Sequence, residues 1–92
     1  MYERTKPQLG QIVKVLRGKD ADKYSIIIGI LDENFVMIAD GNKRKFDQPK
    51  KKNILHLQLQ EEISSEVVKS LRESARVTNG KLRFALDKFT KQ

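Results

Sequence analysis

The side chains in this sequence that could do chemistry are mostly cationic, and they are bunched. Residues 43–52, KRKFDQPKKK, hold six cations and one anion, a local charge of +5. A weaker group, Arg17, Lys19 and Lys23, shares its stretch with Asp20 and Asp22, for a net charge of +1. Cations at this density create a positive potential that draws a polyanion, and each can neutralise a phosphate. Phe46 lies inside the first group and Tyr24 follows the second. A ring among cations can stack on an unpaired base while the cations take the phosphates. Both rings could instead fill a core, and Tyr24 shares its parity with Ile26 and Ile28. The candidate phosphate contacts are therefore Arg17, Lys19, Lys23, Lys43, Arg44, Lys45, Lys50, Lys51 and Lys52. The candidate stacking groups are Tyr24, Phe46 and His56. The plainer reading of the lysine run is a solvated basic loop that aids solubility.

Other chemistry has little material. His56 is the single histidine, and acid–base catalysis needs a positioned partner. With no cysteine and no second histidine there is neither a disulfide nor a zinc set. Asp20, Asp22, Asp32, Glu33 and Asp40 sit in turn sequences without metal-ligand spacing, and no phosphate-loop or dinucleotide motif occurs. No enzyme, no cofactor and no small-molecule substrate is expected. The first residues, MYERTKPQLG, lack the apolar core of a secretory signal. The longest apolar run, residues 26–31, is far below the ~20 residues of a membrane span. A cytoplasmic location with no membrane partner is expected. The whole chain carries nineteen Lys and Arg against twelve Asp and Glu, or +7.

The elements that must position these groups are short. Ninety-two residues suggest one small domain. Residues 1–9 have no periodic pattern and read as a flexible N-terminus. Gln11 to Leu16 is a strand, with Val13 and Val15 pointing inward and Ile12 and Leu16 on the other face. Asp20-Ala21-Asp22 is a turn. Tyr24 to Leu31 is a second strand, with Ile26, Ile28 and Ile30 on one face; Gly29 within it marks a bend. Asp32-Glu33-Asn34 turns the chain into a third strand, Phe35 to Ala39, and Asp40-Gly41-Asn42 turns it again. A fourth strand is expected at Lys43 to Asp47, basic on one face and ended by Pro49. Ile54 to Leu59 alternates Leu55, Leu57 and Leu59 with His56 and Gln58, a period-2 strand.

The period changes at residue 61. Ile63, Val67, Leu71 and Ala75 recur every four residues, with Ser64 or Ser65 able to cap a helix. Leu82, Ala85, Leu86 and Phe89 form a second helical stripe, capped by Thr78 or Asn79. The expected fold is mainly β with a C-terminal α part. Residues 10–60 form a small five-stranded barrel, and residues 61–92 form a hairpin of two short amphipathic helices appended to it.

Gly10-Gln11-Ile12-Val13-Lys14-Val15-Leu16-Arg17-Gly18, followed by Lys23 and the Ile26-Ile27-Ile28 run, resembles a KOW motif. Leu31-Asp32-Glu33-Asn34, Ala39-Asp40-Gly41 and Pro49-Lys50-Lys51-Lys52 running into Ile54-Leu55-His56-Leu57 narrow the likeness. Over residues 10–59 the chain is similar to bacterial KOW-domain RNA-binding proteins, themselves similar to KOW-containing large-subunit ribosomal proteins of archaeal and eukaryotic type. That resemblance implies an SH3-like barrel, an RNA partner such as ribosomal RNA, and ribosomal or other translation-associated proteins nearby. One departure stands in the loop, where Asp22 occupies the family's usual glycine position. Aspartate tolerates the left-handed backbone that such a position needs. A rival expectation from the residues is a protein-interaction adaptor, whose barrel or helices dock an acidic partner protein.

Overall fold

The computed structural model describes residues 6–91. Most of the expected flexible start, residues 1–5, lies outside the described residues. The chain then enters through a tight turn, in which the Gln11 N–H donates to the Gln8 carbonyl (3.1 Å).

Five strands follow: β1 (Gln11–Val15), β2 (Tyr24–Ile30), β3 (Phe35–Ala39), β4 (Lys50–Asn53) and β5 (Leu57–Ile63). They form one antiparallel sheet in the order β4-β3-β2-β1-β5. β4 and β5 are thus opposite edges, yet only a 3-10 turn at Ile54–His56 joins them. Laid flat, five strands would set the edges about 19 Å apart, more than such a turn can cross. The sheet must curl. The closure shows in the Leu16 N–H donating to the His56 carbonyl (2.9 Å) and the Ile54 N–H donating to the Asn34 carbonyl (2.9 Å). It shows also in Lys52 Nζ of edge strand β4 donating to the Arg17 carbonyl just beyond β1 (3.1 Å).

Curling gives the sheet an inside, and two helices cover part of its outside. The inner core is Val13, Val15, Ile27, Val36, Ile38 and Leu57. The outer core joins Ile12, Ile26 and Ala39 of the sheet to Val67, Val77 and Leu82. This is why β1 and β2 are apolar on both parities, as strands buried on both faces are. Burying each of the valine, isoleucine and leucine side chains is worth roughly 1.5–3 kcal/mol. The helices are α1 (Ser65–Ser74) and α2 (Asn79–Thr90). Ser64 Oγ accepts the Val67 N–H (3.3 Å), and Thr78 Oγ1 accepts the Lys81 N–H (3.2 Å). Each cap satisfies a backbone donor that the helix start leaves without a partner. Ala75 ends α1 in the left-handed conformation, at φ +60°. Phe89 of α2 meets Tyr24 of β2 edge-on, with centroids 5.2 Å apart.

The five-stranded antiparallel, mainly β architecture with two C-terminal helices agrees with the reading of the sequence. Several details differ. Lys43 to Asp47 is not a strand; β4 is Lys50–Asn53. The Asp40 carboxylate accepts the N–H groups of Asn42 and Arg44 (2.9 and 2.8 Å), which winds the chain into a local turn. The Phe46 N–H then goes to Asn79 Oδ1 (2.8 Å), leaving no ladder to extend. Ile54 to His56 is a 3-10 turn rather than strand, because Asn53 Oδ1 accepts the Leu55 N–H (2.9 Å). Leu55 accordingly is 74% exposed, not half-buried. Ile30 leaves the face of Ile26 and Ile28: a bulge between Ile27 and Gly29 shifts the register, and Ile30 pairs opposite inward-facing Val36. Ile63 ends β5, so the stripe of α1 begins at Val67.

Candidate nucleic-acid interface

The sheet order places the two basic segments at one end of the barrel. β2 and β3 pair antiparallel, with Ile26 opposite Ala39, so the loop before β2 and the loop after β3 leave the sheet side by side. The first loop, residues 16–23, carries Arg17, Lys19 and Lys23. The second, residues 40–49, carries Lys43, Arg44 and Lys45.

Asp20 stitches the two loops together. Its carboxylate lies 3.3 Å from Lys43 Nζ and 4.0 Å from Arg44 Nε. Burial opposes ionisation of Asp20. The Lys43 ammonium, by contact and by charge, then the charges of Arg44 and Lys23, outweigh it and hold the carboxyl below the usual aspartate range. An acidic residue inside a basic loop, which on sequence looked like a handicap to phosphate contact, here aligns one cationic loop on the other. Asp22 adopts φ +72°, the left-handed conformation expected of it, and lies 4.0 Å from Lys14 Nζ.

The remaining cations divide by strand geometry. Lys50, Lys51 and Lys52 alternate faces because successive β side chains point oppositely. Lys50 and Lys52 pair opposite Ile38 and Val36, whose side chains face inward, and Lys51 opposite Met37. Lys52 crosses the seam to the first loop. Lys51 lies on the outer face, 4.6 Å from the centre of the Phe35 ring. The run therefore does not act as one block. Among the described residues Arg17, Lys19, Lys23, Lys45, Lys50 and Lys52 make no ion pair with a carboxylate.

The stacking candidates are less available. Tyr24 and Phe46 both pack against the outer core. Phe46 has the Arg76 guanidinium 5.2 Å from its ring centre. His56 sits half-buried in the 3-10 turn, where its carbonyl helps to close the barrel. The sequence reading missed Phe84, which is 58% exposed on the outer surface of α2. Lys81, Phe84, Lys88 and Lys91 recur at i, i+3, i+7 and i+10, a single helical stripe opposite Leu82, Leu86 and Phe89. That spacing was visible in the sequence beside the apolar one. The helix is fixed to the second loop by Arg83 Nη1, which donates to the Gly41 carbonyl (2.6 Å).

No helix among the described residues is long and apolar enough to cross a membrane. No protein-family model matches the chain. A curated protein of Bacillus subtilis (strain 168), named "Putative ribosome-binding protein YbzG", is 46% identical over 71 residues, spanning 77% of this chain and 96% of the relative.

Proposed function

This chain belongs to the family of that Bacillus subtilis protein, and we propose that it is a non-enzymatic, ribosome-associated RNA-binding protein of the cytoplasm. The observation that carries the reading is the meeting of two basic loops at one barrel end, tied through Asp20. Arg17, Lys19, Lys23, Lys45, Lys50 and Lys52 contact phosphates of a structured RNA, ribosomal RNA being the expected partner. Lys43 and Arg44 contribute field while paired with Asp20. The KOW likeness of residues 10–31 supports the same reading, with that stretch framing the site. Phe84, among the cations of α2, replaces Tyr24 and Phe46 as the stacking residue.

Such an interface reads charge and shape more than sequence. The proposed role is binding without catalysis; the single histidine, His56, is half-buried in the 3-10 turn. The direct test is co-sedimentation of the full chain with ribosomes, before and after nuclease digestion, together with titration against a structured RNA at low salt. The expected result is association lost with the RNA and direct binding of the isolated RNA. Retention on a protein partner after digestion, with no RNA binding at low salt, would overturn this reading in favour of an adaptor.

A further inference from the structure

Among the described residues, the curl of the sheet leaves part of the inner core uncovered. Between β5 and the β2–β3 turn lies a groove of about 1070 Å3 whose apolar floor includes Leu16, Ile30, Leu57, Leu59 and Ile63. Leu16 and Ile30 are 46% and 45% exposed, unusual for residues that adjoin a barrel core. Among the described residues the charged lining is Asp32, Glu33 and Glu61 with Lys6, a net −2 in a chain of +7. None of the nine cations expected to contact phosphate lines it.

Two irregularities of the sheet build this surface. The bulge between Ile27 and Gly29 turns Ile30 out of the helix-covered face and towards the groove. On the other side, Gln11 pairs with Ile63 but Val13 with Leu59, so β5 carries two more residues than β1 over that interval. The buried Gln11 side chain fixes the irregularity: its Nε2 donates to the Gln60 carbonyl (2.7 Å), and its Oε1 accepts the Gln8 N–H (3.0 Å). Regular alternation would turn every second β5 side chain away. Across the irregular interval Leu59, Gln60 and Glu61 all line the groove. Bulges commonly re-aim side chains in this way where a surface is used.

We propose that this groove docks an extended, basic segment of a partner protein, with its aliphatic side chains on the floor and its Lys or Arg groups on the carboxylate rim. The rim repels phosphates, so the occupant is not RNA. A second copy of this chain would bring its own acidic rim and is opposed by like charge if it meets groove to groove. The groove begins at Leu16, beside the basic end, but its lining does not use the nine cations, so the full chain can hold RNA and a protein segment together.

The test is an NMR titration of the isotopically labelled full chain with an acetylated, amidated peptide of about eight residues alternating lysine and valine, and with its glutamate–valine counterpart. The chain is cationic overall, so non-specific attraction favours the glutamate peptide and the comparison is stringent. Saturable shifts at Leu16, Ile30, Glu33, Leu59 and Glu61 are expected with the lysine peptide, and binding of the glutamate peptide weaker by about tenfold or more. The double variant Glu33→Lys/Glu61→Lys should abolish that preference, and Ile30→Ser should weaken the lysine peptide while sparing RNA binding. Equal affinity for the two peptides, shifts confined to other surfaces, or no shifts at millimolar peptide would overturn the proposal. So would shifts that follow protein concentration alone, which would assign the groove to a second copy.

Discussion

Asp20 shows how one carboxylate can serve a basic surface. Its lowered pKa means that the folded state binds its proton less readily than the unfolded chain does. The stability it contributes is present above the unfolded pKa, about 4, and is lost as pH falls through the lower, folded value. Chemical denaturation between about pH 6 and pH 2.5 should therefore show a steeper acid loss for the wild type than for Asp20→Asn. Parallel profiles would mean that the contacts with Lys43 and Arg44 do not persist in solution. A second residue-scale effect sits at Ala75, whose left-handed φ carries a side-chain penalty that glycine escapes. Ala75→Gly should raise stability by about 1 kcal/mol in the same assay. Asp22, also left-handed, was legible beforehand, because aspartate in a glycine position within a polar turn suggests that backbone. Ala75 was not, because nothing in its side chain favours the conformation and only the chain's path between the helices imposes it.

At the scale of elements, the strands that alternate or cluster β-branched residues were legible, and those governed by long-range hydrogen bonds were not. β1, β2 and β3 were placed within a residue or so of their observed bounds, and both helix caps were among the residues identified. The fourth strand was displaced because KRKFD has no local feature that reveals the demands of Asp40 on Asn42 and Arg44, or of Asn79 on Phe46. The second loop is held against α2 at Gly41, where φ is +78° and an added Cβ would meet the Asn79 carbonyl oxygen and lie 2.9 Å from Leu82 Cβ. Gly41→Ala should cost at least about 2 kcal/mol and loosen the docking of α2, read as a lowered denaturation midpoint. The lysine run makes a contrasting case. In sequence it looks like one patch; in β4 it is two inward-side residues and one outward. Lys52→Ala should weaken RNA binding by roughly the worth of one phosphate contact. Lys51→Ala should change it little and instead remove a cation–π contact worth about 0.5–1 kcal/mol at an exposed site. Equal effects on RNA would mean that both faces of β4 touch the ligand.

For the whole molecule, opposing charge is segregated on a scaffold with few elements. The barrel sends its two long loops to one end, and both are basic. Its bulged strands open an acidic, apolar-floored groove between β5 and the β2–β3 turn. Both surfaces rest on the closure of the sheet, which brings sequence-distant segments together. Composition disclosed the cations and not their partition. Neither the Asp20 link nor the groove was legible: the first depends on which strands neighbour one another, the second also on irregularities that add one residue to β2 and two to β5. The central claim is that the two loops, with Lys50 and Lys52 of β4, form one phosphate-binding face, and the salt dependence of binding to a duplex-containing RNA tests it most directly. Two variants are compared with the wild type, Arg17→Gln/Lys19→Gln/Lys23→Gln and Lys45→Gln/Lys50→Gln/Lys52→Gln. Each should reduce the slope of log affinity against log salt by about 3, near 0.9 per phosphate released. A wild-type affinity indifferent to salt, or a slope that responds to one triple variant and not the other, would contradict a single face.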